Sequence, residues 1–347
     1  MTLLNETIKN VAPLNEAAMH EAQKHLDFLL KPQGSLGKLE DIARQMAGIT
    51  GKVKNRIGKK VFMVMCSDNG IEAEKIASFP QSVSMLVTDC MLKGLSGVSV
   101  LGRHAGADLR VIDLGLAESP TTPGIIDRKI RKSTGNFLKT QAMTRQEAIQ
   151  AIEVGISETL KAIDEGYDLI GTGEVGIGNT TTSSAIIHVL TGKPVDSVTG
   201  RGAGLTDEGL AHKKNVIARA VALHKPDASD PVDVLAKVGG FDIAGMTGTF
   251  LAAASRRKPV VIDGFISGVA ALLAYRLCPL SRGYMIPSHS SHEPGSVAVA
   301  EALDLRPMLY MNMRLGEGTG AALAFNIIEA SMAIMNEQGT FGDIGMA

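Results

Sequence analysis

Five apolar runs, each closed by Gly, Asp, Ser or Asn, punctuate the chain. They are KKVFMVMCSDNG from Lys59, ADLRVIDLGL from Ala107, YDLIGTGEVG from Tyr167, KPVVIDGF from Lys258 and RGYMIPSHSS from Arg282. Helix-like stretches separate them. That alternation is the pattern of an α/β fold, a doubly wound and mostly parallel sheet with helices on both faces. The 347 residues, 45% of them hydrophobic, suffice for one large core with an appendage. Residues 1–30 show helical spacing and no strand. The stretch GAALAFNIIEASMAIMNEQ from Gly320 reads as a long amphipathic helix that returns to pack on them. The expected division is a small helical subdomain, residues 1–30 with part of 330–347, beside a Rossmann-like domain over 31–329.

In such a sheet, ligands sit beyond the carboxyl ends of the strands. The informative residues fall at those ends: Asp68-Asn69-Gly70, the loop Thr172 to Asn179, Asp263-Gly264, Ser288 to Gly295, and LGEGTG from Leu315. Gly171, Gly173 and Gly176 are spaced as a dinucleotide fingerprint, with Asp196 where a ribose-binding acid is expected. Yet the helix cap, Asn179-Thr180-Thr181, comes late for that motif, and Asp196 follows no strand. The glycines could also serve a tight turn alone. The preferred reading gives the loop two jobs. Amides around Gly176, Gly178, Asn179 and Thr180, at a helix start, hold one phosphate. Glu174 lies beside the sugar. A second glycine loop, with Arg201, Gly202 and Gly204, adds donors, and Lys213 or Lys214 adds a cation.

Glu317 repeats the pattern, flanked by Gly316 and Gly318 before a helix expected near Thr319. A carboxylate there can be a favourable helix-dipole contact. It can also be a general base, if Leu315 and Met313 shield it and raise its pKa. His289 and His292 resemble a metal pair, but Pro294-Gly295 stops any helix that would align them, so a polar loop is expected and no metal. Cys66 reads as a buried thiol.

Composition narrows the class. Thirty-five basic residues against thirty-six acidic ones give a net charge of −1, so no nucleic acid is expected as partner. Three scattered cysteines form no disulfide framework, which fits a reducing cytoplasm. The N-terminus has no apolar signal region. The apolar window from Val260 is broken by Asp263-Gly264 into strand, turn and helix, so no membrane association is expected.

Taken in order, KPQGSLGKLE, DNGI, FPQSV, GEVGIGNTT, GRGAG, GGFDIAGMTG, VIDGFIS, HEPG and RLGEGTGAA resemble the nicotinate-nucleotide:dimethylbenzimidazole phosphoribosyltransferase family across nearly the entire chain. The resemblance implies Glu317 as catalytic glutamate, Glu174 as its loop partner, Lys213 as phosphate-binding lysine, and Gln81 in the base pocket. Asp68, Asn69, Val175, Met313 and Leu315 are expected around that pocket. It implies transfer of phosphoribose from nicotinate mononucleotide to an aromatic base, for cobamide nucleotide assembly. A phenol-specific subunit of a two-chain enzyme is the alternative, and a dinucleotide-binding oxidoreductase a remote one. A homodimer, or a heterodimer with a homologous chain, is expected. The family commonly has histidine where this chain has Asn69, and AEPGH where it has His292 to Ser296. The implied chemistry needs no cofactor and no metal: the cationic pyridinium departs as a neutral ring, and one base removes the acceptor's proton. Attack opposite the leaving group inverts a β- to an α-riboside.

Overall fold

The computed structural model describes residues 2–346. Its six strands are β1 (Lys59–Ser67), β2 (Asp108–Gly115), β3 (Ile126–Asp127), β4 (Tyr167–Val175), β5 (Val260–Ile262) and β6 (Met285–Pro287). They form one sheet in the order β3-β2-β1-β4-β5-β6, every pair parallel. From β1 the chain winds outward to β2 and β3. It then returns past β1 and winds the other way through β4, β5 and β6. The crevice between β1 and β4 is therefore the topological switch point. Register aligns the two strand ends, with Met65 beside Glu174 and Cys66 beside Val175.

β1 is buried from Lys60 to Ser67, which is why it reads as an unbroken apolar run and not an alternation. Its side chains still point alternately to opposite faces. Phe62 stacks on Phe325 of the helix Thr319–Glu337, with ring centroids 4.7 Å apart. Met65, on the other face, lies against Gly245 of the helix Phe241–Ser255. Both faces are thus covered. The apolar window from Val260 divides as expected into β5 and the buried helix Phe265–Leu277. A further apolar stretch, Ser82–His104, is two helices, Ser82–Leu92 and Gly97–His104.

The chain ends meet. Leu30 N–H donates to the Gly339 carbonyl at 2.8 Å, and a His25 ring nitrogen lies 3.0 Å from the Met335 carbonyl. Ser331 donates to the Leu39 carbonyl at 2.6 Å, tying the C-terminal helix to the helix Lys38–Thr50. The first helix, Leu3–Lys9, packs instead on the helices Arg145–Asp164 and Phe241–Ser255.

Candidate active site

Glu174 sits at the carboxyl end of β4, 7% exposed. Its Oε2 accepts from the side-chain amide of Asn179, which also donates to Asp242 Oδ2 at 3.1 Å. One amide therefore bridges two buried carboxyls. Burial, and then the nearby Asp242, push the Glu174 carboxyl well above the usual carboxylate range. Burial pushes Asp242 up to about 7. Glu174 Oε1 accepts the backbone N–H of Glu317 at 3.2 Å, so the two glutamates that sequence placed apart are joined directly.

Gly316, Glu317 and Gly318 have φ of 84°, 64° and 109°, three consecutive residues in the left-handed region. For glutamate this conformation costs of order 1 kcal/mol and persists only where the surroundings impose it. The turn aims the Glu317 carboxylate at the start of the helix Gly97–His104, where Oε2 accepts Val98 N–H at 3.1 Å. Asp263, at the end of β5, accepts N–H groups of Gly318, Gly320 and Ala321, and burial pushes it up to about 7.

Across the cleft, the helix Asn179–Thr191 begins at Gly178 with no side-chain cap. Within its first turn the Asn179 N–H donates to the Gly176 carbonyl at 3.1 Å and the Thr181 N–H to the Gly178 carbonyl at 2.9 Å; Thr180, between them, lines the cavity. Lys213 is fully buried behind it: Nζ donates to Thr180 Oγ1 at 2.8 Å and to the Gly200 carbonyl at 3.2 Å. Burial lowers this ammonium to about 8, against the raising effect of Glu293. Glu293 Oε1 accepts Gly202 N–H at 3.0 Å, so the second glycine loop is held by a carboxylate.

These elements enclose a cavity of about 550 Å³, within the range of small-ligand sites. Glu174, Val175, Gly176, Asn179, Thr180, Gly202, Gly204, Leu315 and Glu317 line it, joined by Phe79, Val83, Val87, Ile177, Asp263, Phe265, His289, Ser291, Glu293 and Arg314.

A family profile described as Phosphoribosyltransferase matches residues 11–346. The nicotinate-nucleotide–dimethylbenzimidazole phosphoribosyltransferase of Ruminiclostridium cellulolyticum is 54% identical over 97% of this chain and 96% of its own length. That of Clostridium acetobutylicum is 52% identical over the same shares. The crystal structure of CobT from Thermus thermophilus superposes with a TM-score of 0.91 at 36% identity, covering 95% of this chain and 99% of that one. The chain belongs to the nicotinate-nucleotide:dimethylbenzimidazole phosphoribosyltransferase family.

Within this phosphoribosyltransferase, several expected site residues take other places. Gln81 does not line the cavity; its amide donates to Ser133 at 3.1 Å. Val83 and Val87, four residues apart on the helix Ser82–Leu92, share the face that does, and Phe79 joins them from the bend before it. Arg201 is turned away to Asp207 and the Leu205 carbonyl. Lys214 pairs with Asp196 at 3.0 Å on the surface, so Lys213 is the inward lysine. Asp68 and Asn69 are buried beside the cavity without lining it: Asp68 accepts Ala117 N–H, and Asn69 donates to the Ser67 carbonyl. Met313 meets the His292 loop through its carbonyl, and Leu315 is 61% exposed at the rim. The Glu317 carboxylate meets a helix N-terminus, and Leu315 stays near it: Leu315 Cδ2 and Glu317 Oε2 lie 2.7 and 3.3 Å from the point where a Cβ on Gly97 would stand. Gly178 contributes the helix entry, its φ of 96°, and no cavity surface.

The dinucleotide reading fails on geometry. Gly171 and Gly173 lie inside β4 and form no phosphate turn. A Cβ on Gly173 would stand 2.1 Å from the Glu317 carbonyl oxygen. The spacing serves close approach of a strand to the Glu317 turn.

Proposed function

We propose that this enzyme transfers phosphoribose from nicotinate mononucleotide to an aromatic base of the benzimidazole class, releasing nicotinate and an α-riboside phosphate destined for a cobamide. The observation carrying this reading is one cavity with two different ends. At one, Thr180 at a helix start, backed by Lys213, suits a monophosphate. At the other, Glu174 and Glu317 meet over an apolar wall of Phe79, Val83, Val87 and Ile177, a surface for a flat aromatic ring.

The donor's pyridinium carries positive charge that vanishes on departure, so no acid is needed. Glu174 stands beside the sugar, where positive charge develops as the neutral ring leaves, and Glu317 accepts the acceptor's proton. The remainder is positioning and electrostatics. We further propose that the protein works in the cytoplasm, as a homodimer or as a heterodimer with a homologous chain. Asn69, His292 and Ser296, the positions where the chain departs from its relatives, do not line the cavity, which supports the benzimidazole class.

The test is product identification by mass spectrometry and NMR after incubating nicotinate mononucleotide with equimolar dimethylbenzimidazole, adenine and p-cresol. The azole α-riboside phosphate is expected to dominate, as a ratio of kcat/KM values. Phenolic ribosides as main product would overturn the acceptor class. Absence of nicotinate release with all three would overturn the activity.

A further inference from the structure

We propose that Asp263 is a positioning residue of this active site, which keeps Glu317 in working orientation by gripping the backbone that follows it. The inference rests on the reading of Glu317 as general base. The helix Thr319–Glu337 starts at Gly318 and has no side-chain cap of its own. A carboxylate from a different strand end takes that role. Asp263 Oδ2 accepts Gly318 N–H at 3.2 Å, and Oδ1 accepts Gly320 N–H at 2.7 Å and Ala321 N–H at 3.1 Å. Three otherwise orphaned helix donors are satisfied by one side chain.

The grip is itself braced. Asp263 N–H donates to Ser267 Oγ at 3.1 Å, and its carbonyl accepts Ser288 Oγ at 2.7 Å. Ser267 Oγ lies 2.6 Å from Thr172 Oγ1, which donates to the Val261 carbonyl. The strut thus runs from β4 through β5 to the turn. Glu317 lies between two holds: Glu174 takes its own N–H, and Asp263 takes those of the next residues. A left-handed glutamate between two left-handed glycines relaxes unless both holds persist. Both Asp263 oxygens are engaged by the backbone of the turn.

Asp263→Asn replaces one acceptor oxygen with an NH2 that faces an N–H donor. Turnover is expected to fall roughly ten- to a hundredfold, the scale for misplacing a reacting group by about 1 Å. KM for nicotinate mononucleotide should stay within about twofold. In a Glu317→Gln background the same change should cost little more, since no base remains to be placed. Hydrogen exchange supplies a reading that needs no variant: in the ligand-free wild type the amides of Gly318, Gly320 and Ala321 should exchange slowly. In Asp263→Asn they should exchange faster, with the helix Arg145–Asp164 unchanged. Fast exchange of those amides in the wild type, wild-type turnover in Asp263→Asn, or fully additive losses in the double variant would each overturn the proposal. Near-normal turnover of Glu317→Gln would remove the general-base reading instead, and the exchange rates would still judge the grip.

Discussion

Asn179 donates one amide to two carboxyls, Glu174 and Asp242, with no cation between them. A ligand carrying positive charge at the sugar is what this arrangement lacks, and the donor's pyridinium supplies it. Glu317 stands apart from that pair in chemistry, held through its backbone with its carboxylate at a helix start. Glu317→Gln should fold and bind the donor yet lose turnover by roughly a hundred- to ten-thousandfold, the usual contribution of a general base. Steady-state kinetics with dimethylbenzimidazole checks this, and a rate above half the wild type excludes the assignment. Lys213 acts at the other end of the cavity, by way of Thr180. Lys213→Ala should weaken nicotinate mononucleotide by roughly tenfold or more, as expected for loss of a charge-assisted contact. The dephosphorylated riboside should bind almost unchanged. Equal losses for both ligands in calorimetry would show that Lys213 does not read the phosphate.

β4 carries the site because it is thin where the Glu317 turn crosses it. A Cβ at Gly173 would meet the carbonyl carbon and oxygen of Glu317, backbone atoms that cannot rotate away. Gly173→Ala should therefore cost roughly 1–3 kcal/mol, the usual penalty of overpacking. Turnover should drop further than stability predicts, because the displaced atoms belong to the turn. A thermal melt with parallel kinetics separates the two, and a variant with wild-type turnover would refute the close-contact reading. β5 and β6 have only three residues each, yet Asp263 and Ser288 to Ser291 emerge from them into the site region. Short strands suffice because the helices on either face position their ends.

At the scale of the whole molecule, the switch point between β1 and β4 concentrates buried acid. Glu174, Asp242 and Asp263 all have carboxyls raised by burial. For Asp242 the folded value of about 7 lies above an ordinary carboxyl near 4. The native state then holds a proton that the unfolded chain releases. This contribution to stability is complete below about pH 4 and is lost as pH rises through about 7. Asp242→Asn has no such proton to lose. Its melting temperature should therefore rise relative to wild type between about pH 5 and about pH 8. Measuring the difference between the two proteins cancels the opposite contribution of His289, whose ring burial holds below its ordinary value. A difference constant across that range would show that Asp242 does not titrate with folding.

Local pattern alone determined the alternating strands and helices, the helix from Thr319, the split of the window at Val260, and the ordered motifs that carry the family. Those features depend on periodicity and turn chemistry within a few residues, which a linear reading captures. The placement of side chains was another matter. Lys213 and Lys214 differ by one residue yet end in the interior and on the surface, because one step along a helix turns the side chain by about 100°. Gln81 lies just before the helix Ser82–Leu92 and turns to Ser133, a residue 52 positions away. Asp263 lies 55 residues from the amide it grips and Glu174 lies 143 from the Glu317 N–H. No local signal encodes such pairs; they form because parallel winding brings the ends of β4 and β5 to the same edge as the start of the last long helix.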